Sequence, residues 1–428
     1  MTTYERLFAL EAFGIKLGLE NMRTLVAALG HPERACPTIH VAGTNGKGSV
    51  CAMVERALRA AGYRTGLYTS PHLDHIEERV AVDGVPVAPV LFEACAGHVL
   101  QVVDEARADG RLAVTPTFFE VTTAIAFEAF RRAQVDVAVI EVGLGGRFDA
   151  TNVIGPVACA ITSIALDHER HLGTTLAAIA AEKAGIAKHE TPLVIGDLAP
   201  EARTAVEEAA EAAGAPVLDA ADVIEDAHLE RGVATITCRG GYPPVRLALA
   251  GRHQMANAAT AVRLLEVIEQ EGLPVGMEAI VTGLSDARWP ARLEWLRLAG
   301  GDLLIDAAHN PAGAEALASY LVEAGVAPIP VTIAAMRDKD VAGMARPLAR
   351  VASRFVATEV AHERSHPAGA LAAIIEPVAP GIPVEAEPDA RRAVARALEQ
   401  GGRAVAAGSI YFVGPLRARL VESGAVSI

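Results

Sequence analysis

The stretch PTIHVAGTNGKGSV, Pro37 to Val50, joins an apolar run to a loop rich in glycine. The apolar run predicts a buried strand, and the residues after the loop begin a helical pattern. Small residues allow backbone N–H groups to approach an anion closely, while Lys47 adds a positive charge. A tight turn is the plainer interpretation. Three glycines, an asparagine, a lysine and a serine directly after a strand favour a phosphate site.

Gly48 follows this lysine. In the common phosphate loop, G-x-x-x-x-G-K-[ST], the residue at that position carries the hydroxyl that binds magnesium. A nucleoside triphosphate bound to this loop would therefore need metal ligands from elsewhere in the chain.

Further apolar runs alternate with helical patterns. Strand-like runs lie at Pro37–Gly43, Arg64–Ser70, Val135–Gly143 and Val157–Asp167. Because these runs are almost continuously apolar, they are typical of strands buried on both faces, in a parallel sheet covered by helices. Residues 233–249 alternate more and contain Gly-Gly and Pro-Pro pairs. That segment predicts a hairpin or an edge of a second, antiparallel sheet.

A second series of strands and helices begins near residue 300, and Pro290 lies between the two series. We therefore predict an α/β protein of two domains. Residues 1–290 form a P-loop ATPase domain on a parallel sheet, with a small extra antiparallel sheet. Residues 291–428 form a smaller, Rossmann-like α/β domain.

Composition limits the function classes. The 428 residues suffice for two domains, and the net charge of −14 disfavours a nucleic-acid or anionic-membrane partner. The five cysteines are scattered, which indicates free thiols in a reducing compartment. The N-terminus lacks a secretory signal pattern, and no apolar run is long enough to span a membrane. We expect a cytoplasmic monomer.

Polar residues follow the predicted strands of the first domain, where ligands gather in parallel sheets. Ser70, Glu141 and His168 stand at three such points. Oxygen ligands suit magnesium, while a histidine favours manganese or a looser magnesium site. Ser70 could instead be only a turn residue, and His168 could lie in a solvated loop. Glu141 ends an apolar strand, so its carboxylate must be paired or bound.

In the second domain, Asp306 and His309 follow the strand LLI, and Asn310 precedes a predicted helix. Asp306 could bind a ligand or only cap the turn. Residues Arg337–Asp340, RDKD, predict an exposed charged loop. Gly408-Ser409 could form an anion-binding turn or a plain one.

The order of motifs resembles that of folylpolyglutamate synthases, of the bacterial type that often doubles as dihydrofolate synthase, within the Mur ligase group. The resemblance covers nearly the whole chain. Its motifs, in order, are GTNGKGS, LYTSPHL, EVGLGGRFDATN, SIALDHERHLG, EKAGIAK, GRHQMANAATA, WPARLE, DAAHNP and GSIYFVG.

The resemblance implies an ATP-dependent ligase that adds L-glutamate to dihydropteroate or a reduced folate through an acyl phosphate. It implies one Mg²⁺ on Ser70 and Glu141, and a second on Glu141, His168 and Lys183, with Lys183 carbamylated to N6-carboxylysine. From the residues alone, Lys183 is an ordinary lysine near a helix end.

The resemblance also assigns the remaining site residues. Catalytic roles fall to Lys47, Lys183 and His309. Contacts to ATP fall to Asn45, Gly46, Lys47, Gly48, Ser49, Asn257, Arg292 and Asp306. The pterin site comprises Thr117, Phe118, Phe119, Glu120, Phe148, Asp149 and Ala150, although one of the two adjacent phenylalanines is expected to be core packing. Ala307 departs from the family, which commonly has glycine there.

Two rival functions stay open at this point. One is a Mur-type ligase that acts on a cell-wall precursor, although PTFFE and LYTSPHL favour folate. The other is a nucleotide switch that uses the loop only to change shape. A switch would not need the ATP-binding residues that the resemblance assigns to the second domain.

Overall fold

The computed structural model describes residues 1–14, 18–399 and 401–428, which divide into two compact units. The first unit contains Met1–Ile164, Glu169–Val223 and Ala256–Ala287; the second contains Ala165–His168, Ile224–Met255 and Arg288–Ile428. Each unit is an α/β body with its own large sheet, which confirms the predicted fold class. The predicted domain ranges, divided at residue 290, stay a prediction.

The first unit is built on an eight-stranded sheet in the order β4-β3-β2-β5-β1-β6-β7-β8. Its strands are β1 (Thr38–Ala42), β2 (Thr65–Tyr68), β3 (Val80–Val82), β4 (Val85–Pro86), β5 (Val137–Glu141), β6 (Ala158–Ile161), β7 (Leu193–Ile195) and β8 (Val217–Asp219). Strands β2, β5, β1, β6, β7 and β8 are parallel. Strands β3 and β4 add an antiparallel edge.

The helices of this part of the chain surround the sheet. They are α1 (Thr3–Ala9), α2 (Glu20–Ala28), α3 (Lys47–Ala60), α4 (Pro89–Ala108), α5 (Phe118–Ala133), α6 (Glu169–Leu172), α7 (Leu176–Ala184), α8 (Pro200–Ala213), α9 (His253–Gln270) and α10 (Met277–Ser285). One apolar core joins α1, α2, α4 and α5 to the strands, and another joins α7 and α8 to them. Helix α3 confirms the helical pattern that the sequence shows after the glycine loop.

Burial explains why the strand sequences are continuously apolar. All five residues of β1 and all five of β5 are buried. A strand covered on both faces has no solvent side on which polar residues would alternate. Where each parallel strand ends, its next residues emerge at one edge of the sheet, and this edge carries the site described below.

One predicted strand is too long. The apolar run Val157–Asp167 suggested a single strand, but β6 ends at Ile161. Thr162 and Ser163 are therefore the first polar residues after β6. Residues Ala165–His168 group with the second unit instead.

The second unit contains two sheets. Strands β9 (Ile224–Glu230), β10 (Val233–Cys238) and β11 (Val245–Arg246) form an antiparallel sheet in the order β11-β10-β9, as the alternation in residues 233–249 predicted. The larger sheet has the order β16-β15-β14-β17-β13-β12-β18. Its strands are β12 (Glu294–Leu298), β13 (Gly301–Asp306), β14 (Ile329–Ala334), β15 (Ala352–Ala357), β16 (Val384–Ala386), β17 (Arg403–Gly408) and β18 (Val426–Ser427).

Five helices accompany the larger sheet: α11 (Pro311–Glu323), α12 (Val341–Ala349), α13 (Ala368–Ile375), α14 (Ala390–Leu398) and α15 (Ile410–Glu422). Strands β16, β15, β14, β17 and β13 are parallel to one another, and β12 is antiparallel to both β13 and β18. Asn310 caps α11 by accepting a hydrogen bond from Gly313 N–H at 2.8 Å. This confirms the helix start predicted at Asn310-Pro311.

Two further observations concern compartment. All five cysteines are free thiols. Among the helices that the structure describes, none combines the length and the apolar content that crossing a bilayer requires.

Close contact between α3 and α10 gives a test of the packing. A Cβ atom on Gly283 would lie 2.6 Å from the Met53 carbonyl oxygen and 2.7 Å from the Ala57 Cβ. We expect Gly283→Ala to lower the free energy of unfolding by about 1–3 kcal/mol, because the helices would be forced apart. Gly97 in α4 is the matched control, since a Cβ there would meet nothing within 4 Å. Gly97→Ala should raise stability by about 1 kcal/mol, because alanine is the better helix former. Urea denaturation of both variants measures this, and equal effects would contradict the close contact.

Candidate active site

The glycine loop connects β1 to α3 as the sequence predicted. Gly46 has φ +86° and precedes the first residue of the helix, Lys47. The Lys47 ammonium donates to the carbonyl oxygens of Gly43, at 3.1 Å, and Thr44, at 3.2 Å. The N-terminus of α3 adds backbone N–H groups that point out of the helix end and the positive end of the helix dipole. This combination is suited to binding phosphate.

Two residues that follow β6 hold the loop in place. Thr162 Oγ1 donates to the Asn45 carbonyl at 2.6 Å, and Ser163 Oγ donates to the same oxygen at 2.9 Å. A Cβ on Gly43 would lie 2.0 Å from Thr162 Oγ1, so only glycine fits there. The sequence analysis missed these two hydroxyl residues. Their position directly after the last residue of β6 could have indicated them.

Asn257 also contacts the loop. A Cβ on Gly46 would lie 2.2 Å from Asn257 Oδ1, so this side chain lies directly against the glycine. Asn257 is buried on α9. The structure therefore brings Asn257 to the loop, beside residues predicted with it as ATP contacts. Ser49 is buried in the first turn of α3, while Asn45 and Gly48 belong to the same short segment.

Glu141 reaches this loop from the neighbouring strand. It pairs in register with Val41, so the end of β5 adjoins the end of β1. One carboxylate oxygen lies 4.0 Å from the Lys47 Nζ, and the other accepts the backbone N–H of Ser70 at 3.0 Å. Glu141 is buried. Three strand ends thus place Ser70, Glu141 and Lys47 together.

Lys183, near the end of α7, joins the same cluster. Its Nζ donates to the Gly43 carbonyl oxygen at 2.8 Å, which is the oxygen that Lys47 also binds. The side chain is buried. Arg147 N–H donates to the Glu182 carbonyl at 2.9 Å, so the EVGLGGR segment fixes the end of this helix. Lys183, which has no special feature in the sequence alone, thus lies beside the phosphate-loop lysine, Lys47.

The donor set fits a hard divalent cation better than a soft one. Ser70 and Glu141 offer oxygen atoms, which magnesium and manganese prefer. Over the described residues, no group of three His, Cys, Asp or Glu side chains is arranged as a metal site. A cation here would therefore rely on the serine hydroxyl, one carboxylate and oxygens from a bound phosphate. Because Gly48 cannot supply the usual hydroxyl ligand, metal ligands from outside the loop, such as these, are needed.

Other predicted site residues lie in the second unit. Asp306 accepts the Leu293 N–H at 2.8 Å, and burial raises the pKa of its carboxyl group while the charge of Arg292 opposes this rise. Arg292 donates to the Ala291 carbonyl at 2.9 Å. Burial, together with the Arg292 charge, lowers the pKa of His253 to about 4. Arg292 and Asp306 therefore lie close enough for the charge of Arg292 to act on the Asp306 carboxyl group.

His309 belongs to a network centred on Asp167. Asp167 accepts from Lys339 Nζ at 2.5 Å and from Asn310 Nδ2 at 3.0 Å, and its carboxylate lies 3.4 Å from His309 Nε2. The other ring nitrogen of His309 contacts the Ala307 carbonyl at 3.0 Å. Burial alone would raise the pKa of Asp167, but the hydrogen bond from His309 and the nearby positive charges hold it well below its usual value.

The RDKD segment is thus only partly an exposed loop. Arg337, Asp338 and Asp340 are exposed, but the Lys339 side chain is only 12% exposed and is paired with Asp167. Asp340 caps α12 through Gly343 N–H at 2.8 Å. His168, the predicted metal ligand, is partly exposed, has φ +52° and donates its backbone N–H to Asp167.

Of the predicted pterin residues, Thr117 and Glu120 form a capping box at the start of α5. Thr117 Oγ1 accepts the Glu120 N–H at 3.2 Å, and Glu120 Oε2 accepts the Thr117 N–H at 2.7 Å. The other oxygen of Glu120 is buried and has no partner among the described residues. The pattern T-x-x-E at the start of a helix could have predicted the cap.

The two adjacent phenylalanines have different neighbours. Phe119 packs on Gly143, where a Cβ would lie 2.4 Å from its ring, and it is tilted against Tyr68. Phe118 stacks on Phe8 with ring centres 5.9 Å apart. Both rings are half-buried and contact the core of the first unit, so core packing is shared between them rather than confined to one. Phe148 is 43% exposed, and Ala150 is buried.

Asp149 is held by a buried chain of hydrogen bonds. Its oxygens accept the N–H groups of Leu144, at 2.8 Å, and Thr151, at 3.0 Å, and Thr151 Oγ1 donates to it at 2.5 Å. Because that hydroxyl donates its one hydrogen to Asp149, it accepts from His40 Nε2 at 2.9 Å. Burial raises the pKa of Asp149, and these hydrogen bonds oppose the rise.

Comparison with known proteins identifies the family. The model of the Mur ligase middle domain matches residues 41–265, and that of the Mur ligase, glutamate ligase domain matches residues 291–409. Dihydrofolate synthase/folylpolyglutamate synthase of Bacillus subtilis is 38% identical over 79% of this chain and 80% of its own length. The chain belongs to the folylpolyglutamate synthase/dihydrofolate synthase family.

Solved structures of family members agree with this. Folylpolyglutamate synthase of Mycobacterium tuberculosis, solved with ADP, has a TM-score of 0.90, with 33% identity and 98% of each chain covered. The bifunctional enzyme of Yersinia pestis, solved with AMPPNP and a manganese ion, has a TM-score of 0.83, with 30% identity and 98% coverage of each chain. Some family members are longer. The chain spans 41% of the length of a Haloferax volcanii relative named probable bifunctional folylpolyglutamate synthase/dihydropteroate synthase.

His40 gives a test of the buried chain in this family member. Burial, together with the Lys188 charge, lowers the pKa of His40 to about 3, whereas an unfolded histidine titrates near 6.5. Between these values the unfolded state binds one more proton, so stability is present above pH 6.5 and is lost as the pH falls. We expect the wild type to lose about 2 kcal/mol more than His40→Gln between pH 7 and pH 5, as measured by urea denaturation.

The matched control is His189→Gln, which replaces an exposed histidine of the same unit. This variant should lose stability with falling pH as the wild type does. If His40→Gln follows the wild type as well, the imidazole of His40 is not held neutral by burial.

Proposed function

We propose that this chain uses ATP to join L-glutamate to dihydropteroate or a reduced folate, through an acyl phosphate. Membership of the family supports the proposal. The observation that carries it is the convergence of Lys47, Lys183, Glu141 and Ser70 on the end of β1. This arrangement has what phosphoryl transfer to a carboxylate requires: a phosphate cradle, positive charge and a carboxylate suited to a metal.

The glycine loop would hold the β- and γ-phosphates. Backbone N–H groups at the start of α3 and the Lys47 ammonium would exchange their present carbonyl and solvent contacts for phosphate oxygens. The folate carboxylate and the γ-phosphate repel each other because both are anions. Catalysis is therefore mainly a matter of position and charge neutralisation, for which Lys47 is the principal protein group.

A divalent cation completes the charge balance. Ser70 and Glu141 would hold it, and it would neutralise charge on the phosphates when bound. Glu141 is already positioned for this by the Ser70 N–H and by the parallel pairing of β5 with β1. We assign a second cation to Glu141, His168 and Lys183, on the family resemblance.

Lys183 would serve this second cation as N6-carboxylysine. A neutral amine attacks carbon dioxide, a new N–C bond forms, one proton is released, and the product is an anion with two oxygen donors. The location of Lys183 supports this, because its side chain is buried and its Nζ lies at the same carbonyl oxygen as the phosphate-loop lysine, beside the assigned metal residues. An ammonium group has no lone pair and cannot bind a metal.

The remaining roles follow the family motifs. We assign ATP contacts to Asn45, Gly46, Gly48, Ser49 and Asn257 of the first unit. Arg292 and Asp306 of the second unit are assigned the same role. His309, oriented by Asp167 and the Ala307 carbonyl, is assigned to the catalytic step.

The pterin site is assigned to two segments of the first unit. One contains Thr117, Phe118, Phe119 and Glu120 at the start of α5. The other contains Phe148, Asp149 and Ala150. Hydrogen bonds from Leu144 and Thr151 to Asp149 support this, since they make the second segment rigid, as a binding site requires.

We propose that the enzyme acts as a monomer in the cytoplasm on these small molecules, without a nucleic-acid or membrane partner. Five free cysteines support a reducing compartment. The net charge of −14 is unfavourable for binding nucleic acid.

The direct test is turnover. Purified protein with ATP, Mg²⁺ and L-glutamate should release ADP and form a new amide when offered dihydropteroate or tetrahydrofolate separately. We expect no product with a UDP-linked cell-wall precursor. Lys47→Ala should reduce kcat/KM by roughly 10²–10³-fold or more, because phosphate binding and charge are lost together. Arg111→Ala, which changes an exposed arginine of the same unit, is the control. An active Lys47→Ala would refute the loop assignment.

Carbamylation of Lys183 has its own test. Lys183→Ala should lose turnover and recover part of it in added short carboxylic acids, because an acid can replace the missing anion in the cavity. Lys188→Ala is the control: this lysine bonds to Asn152 Oδ1 at 2.7 Å and lies outside the assigned site, so its replacement should need no acid. Absence of recovery in every acid tried would count against a carbamate.

A further inference from the structure

Arg79 lies next to the predicted metal and substrate residues, and none of the assigned roles uses it. It ends the 3₁₀ turn Ile76–Arg79 and leads directly into β3. Its carbonyl accepts the Thr69 N–H at 3.0 Å, so it is adjacent to the residue that precedes Ser70. Only 7% of Arg79 is exposed.

Over the described residues, the guanidinium group of Arg79 makes one side-chain hydrogen bond and one ring contact, and neither partner is an anion. Its Nε donates to His72 Nδ1 at 2.9 Å. Its Cζ lies 5.2 Å from the centre of the Phe118 ring. Because a guanidinium N–H can only donate, His72 Nδ1 accepts this hydrogen bond and carries no proton, so the imidazole is neutral. A neutral ring and an aromatic face cannot cancel a full positive charge.

The nearby acids are occupied elsewhere. Glu78 accepts backbone N–H groups from Leu73, at 2.7 Å, and His75, at 3.1 Å. Glu77 accepts the hydroxyl of Tyr4. Among the described residues, no carboxylate forms an ion pair with Arg79.

A buried arginine without an anion is unfavourable in a folded protein. Arginine does not lose its proton under ordinary conditions, so it cannot become neutral as a buried lysine can. Burying an unpaired charge costs more than a cation–π contact returns. The terminal nitrogens of Arg79 have no hydrogen-bond partner among the described residues, yet they are not among the enclosed polar atoms, so a ligand can reach them.

We propose that Arg79 binds a carboxylate of the folate-class substrate through its two terminal nitrogens, with the Phe118 ring against the guanidinium plane. The inference rests on the proposed function. The planar fork of arginine matches the two oxygens of a carboxylate. Arg79 lies beside Thr69, which precedes the metal residue Ser70, and beside Phe118 at the start of α5, so it adjoins both the assigned metal residues and the assigned pterin segment.

The matched ligands for the test differ only in the carboxylate. One pair is dihydropteroate and its neutral primary amide. The other is tetrahydrofolate and its α-amide. Dissociation constants are measured by equilibrium binding without ATP or glutamate, so turnover is not needed. The wild type should prefer at least one acid over its amide by about 10- to 100-fold, because charged hydrogen bonds at a buried site are strong.

Arg79→Gln should abolish that preference while binding the amides as tightly as the wild type does. Arg79→Lys keeps the positive charge but lacks the two terminal guanidinium nitrogens, so it should lose part of the preference. It replaces Arg79→Gln in the test if the glutamine variant does not fold. Arg64→Gln changes an exposed arginine of the same unit and should keep the whole preference. The acid–amide pair whose preference is lost in Arg79→Gln shows which substrate carboxylate Arg79 binds.

Stability separates this role from a structural one. Because the ligand-free protein gains nothing from an unpaired buried charge, Arg79→Gln should have an unchanged or higher midpoint of thermal unfolding. A wild type without any preference for acid over amide, or an Arg79→Gln variant that keeps it, would overturn the inference. If the wild type binds none of the four ligands, the proposed function itself fails.

Discussion

The carbonyl oxygen of Gly43 accepts hydrogen bonds from two lysines, and the architecture of the site depends on this contact. Two ammonium groups on one oxygen repel each other strongly in a buried place. Glu141 reaches the loop from the adjacent strand, and one of its carboxylate oxygens lies 4.0 Å from the Lys47 Nζ. The positive groups gathered at the end of β1 favour a polyphosphate on the loop.

Backbone geometry keeps that contact in place. Gly43 has φ +147° and lies so close to Thr162 that no side chain fits, and Gly46 has φ +86° against Asn257. The sheet then fixes the neighbours, because parallel pairing of β1 with β5 sets Glu141 beside Val41. The phosphate loop, its metal residues and Lys183 thus come together through strand register rather than through proximity in sequence.

The sequence predicted these features to the extent that they depend on local pattern. Continuous apolar runs identified β1, β2 and β5, and the helical pattern after the glycine loop identified α3, since both patterns report burial of a regular element. The run from Val157 to Asp167 gave too long a strand, because hydrophobicity indicates burial but not the residue at which strand pairing stops. The hydrogen bonds of Thr162 and Ser163 to the loop, and of Asp167 to Lys339, depend on partners more than a hundred residues away. Such partners leave no local pattern.

Charge compensation separates structural clusters from ligand sites more clearly than residue type does. Asp167 contacts Lys339, Asn310 and His309, so groups of the protein itself compensate its negative charge. Arg79 is buried as well, but over the described residues its guanidinium group contacts a neutral imidazole and an aromatic ring and pairs with no carboxylate. The first arrangement stabilises the fold without any ligand. The arrangement at Arg79 becomes favourable only when an anionic ligand binds. A folded protein can keep an unfavourable buried charge where that charge serves binding. From sequence, both are charged residues in polar segments, and only the three-dimensional arrangement distinguishes them.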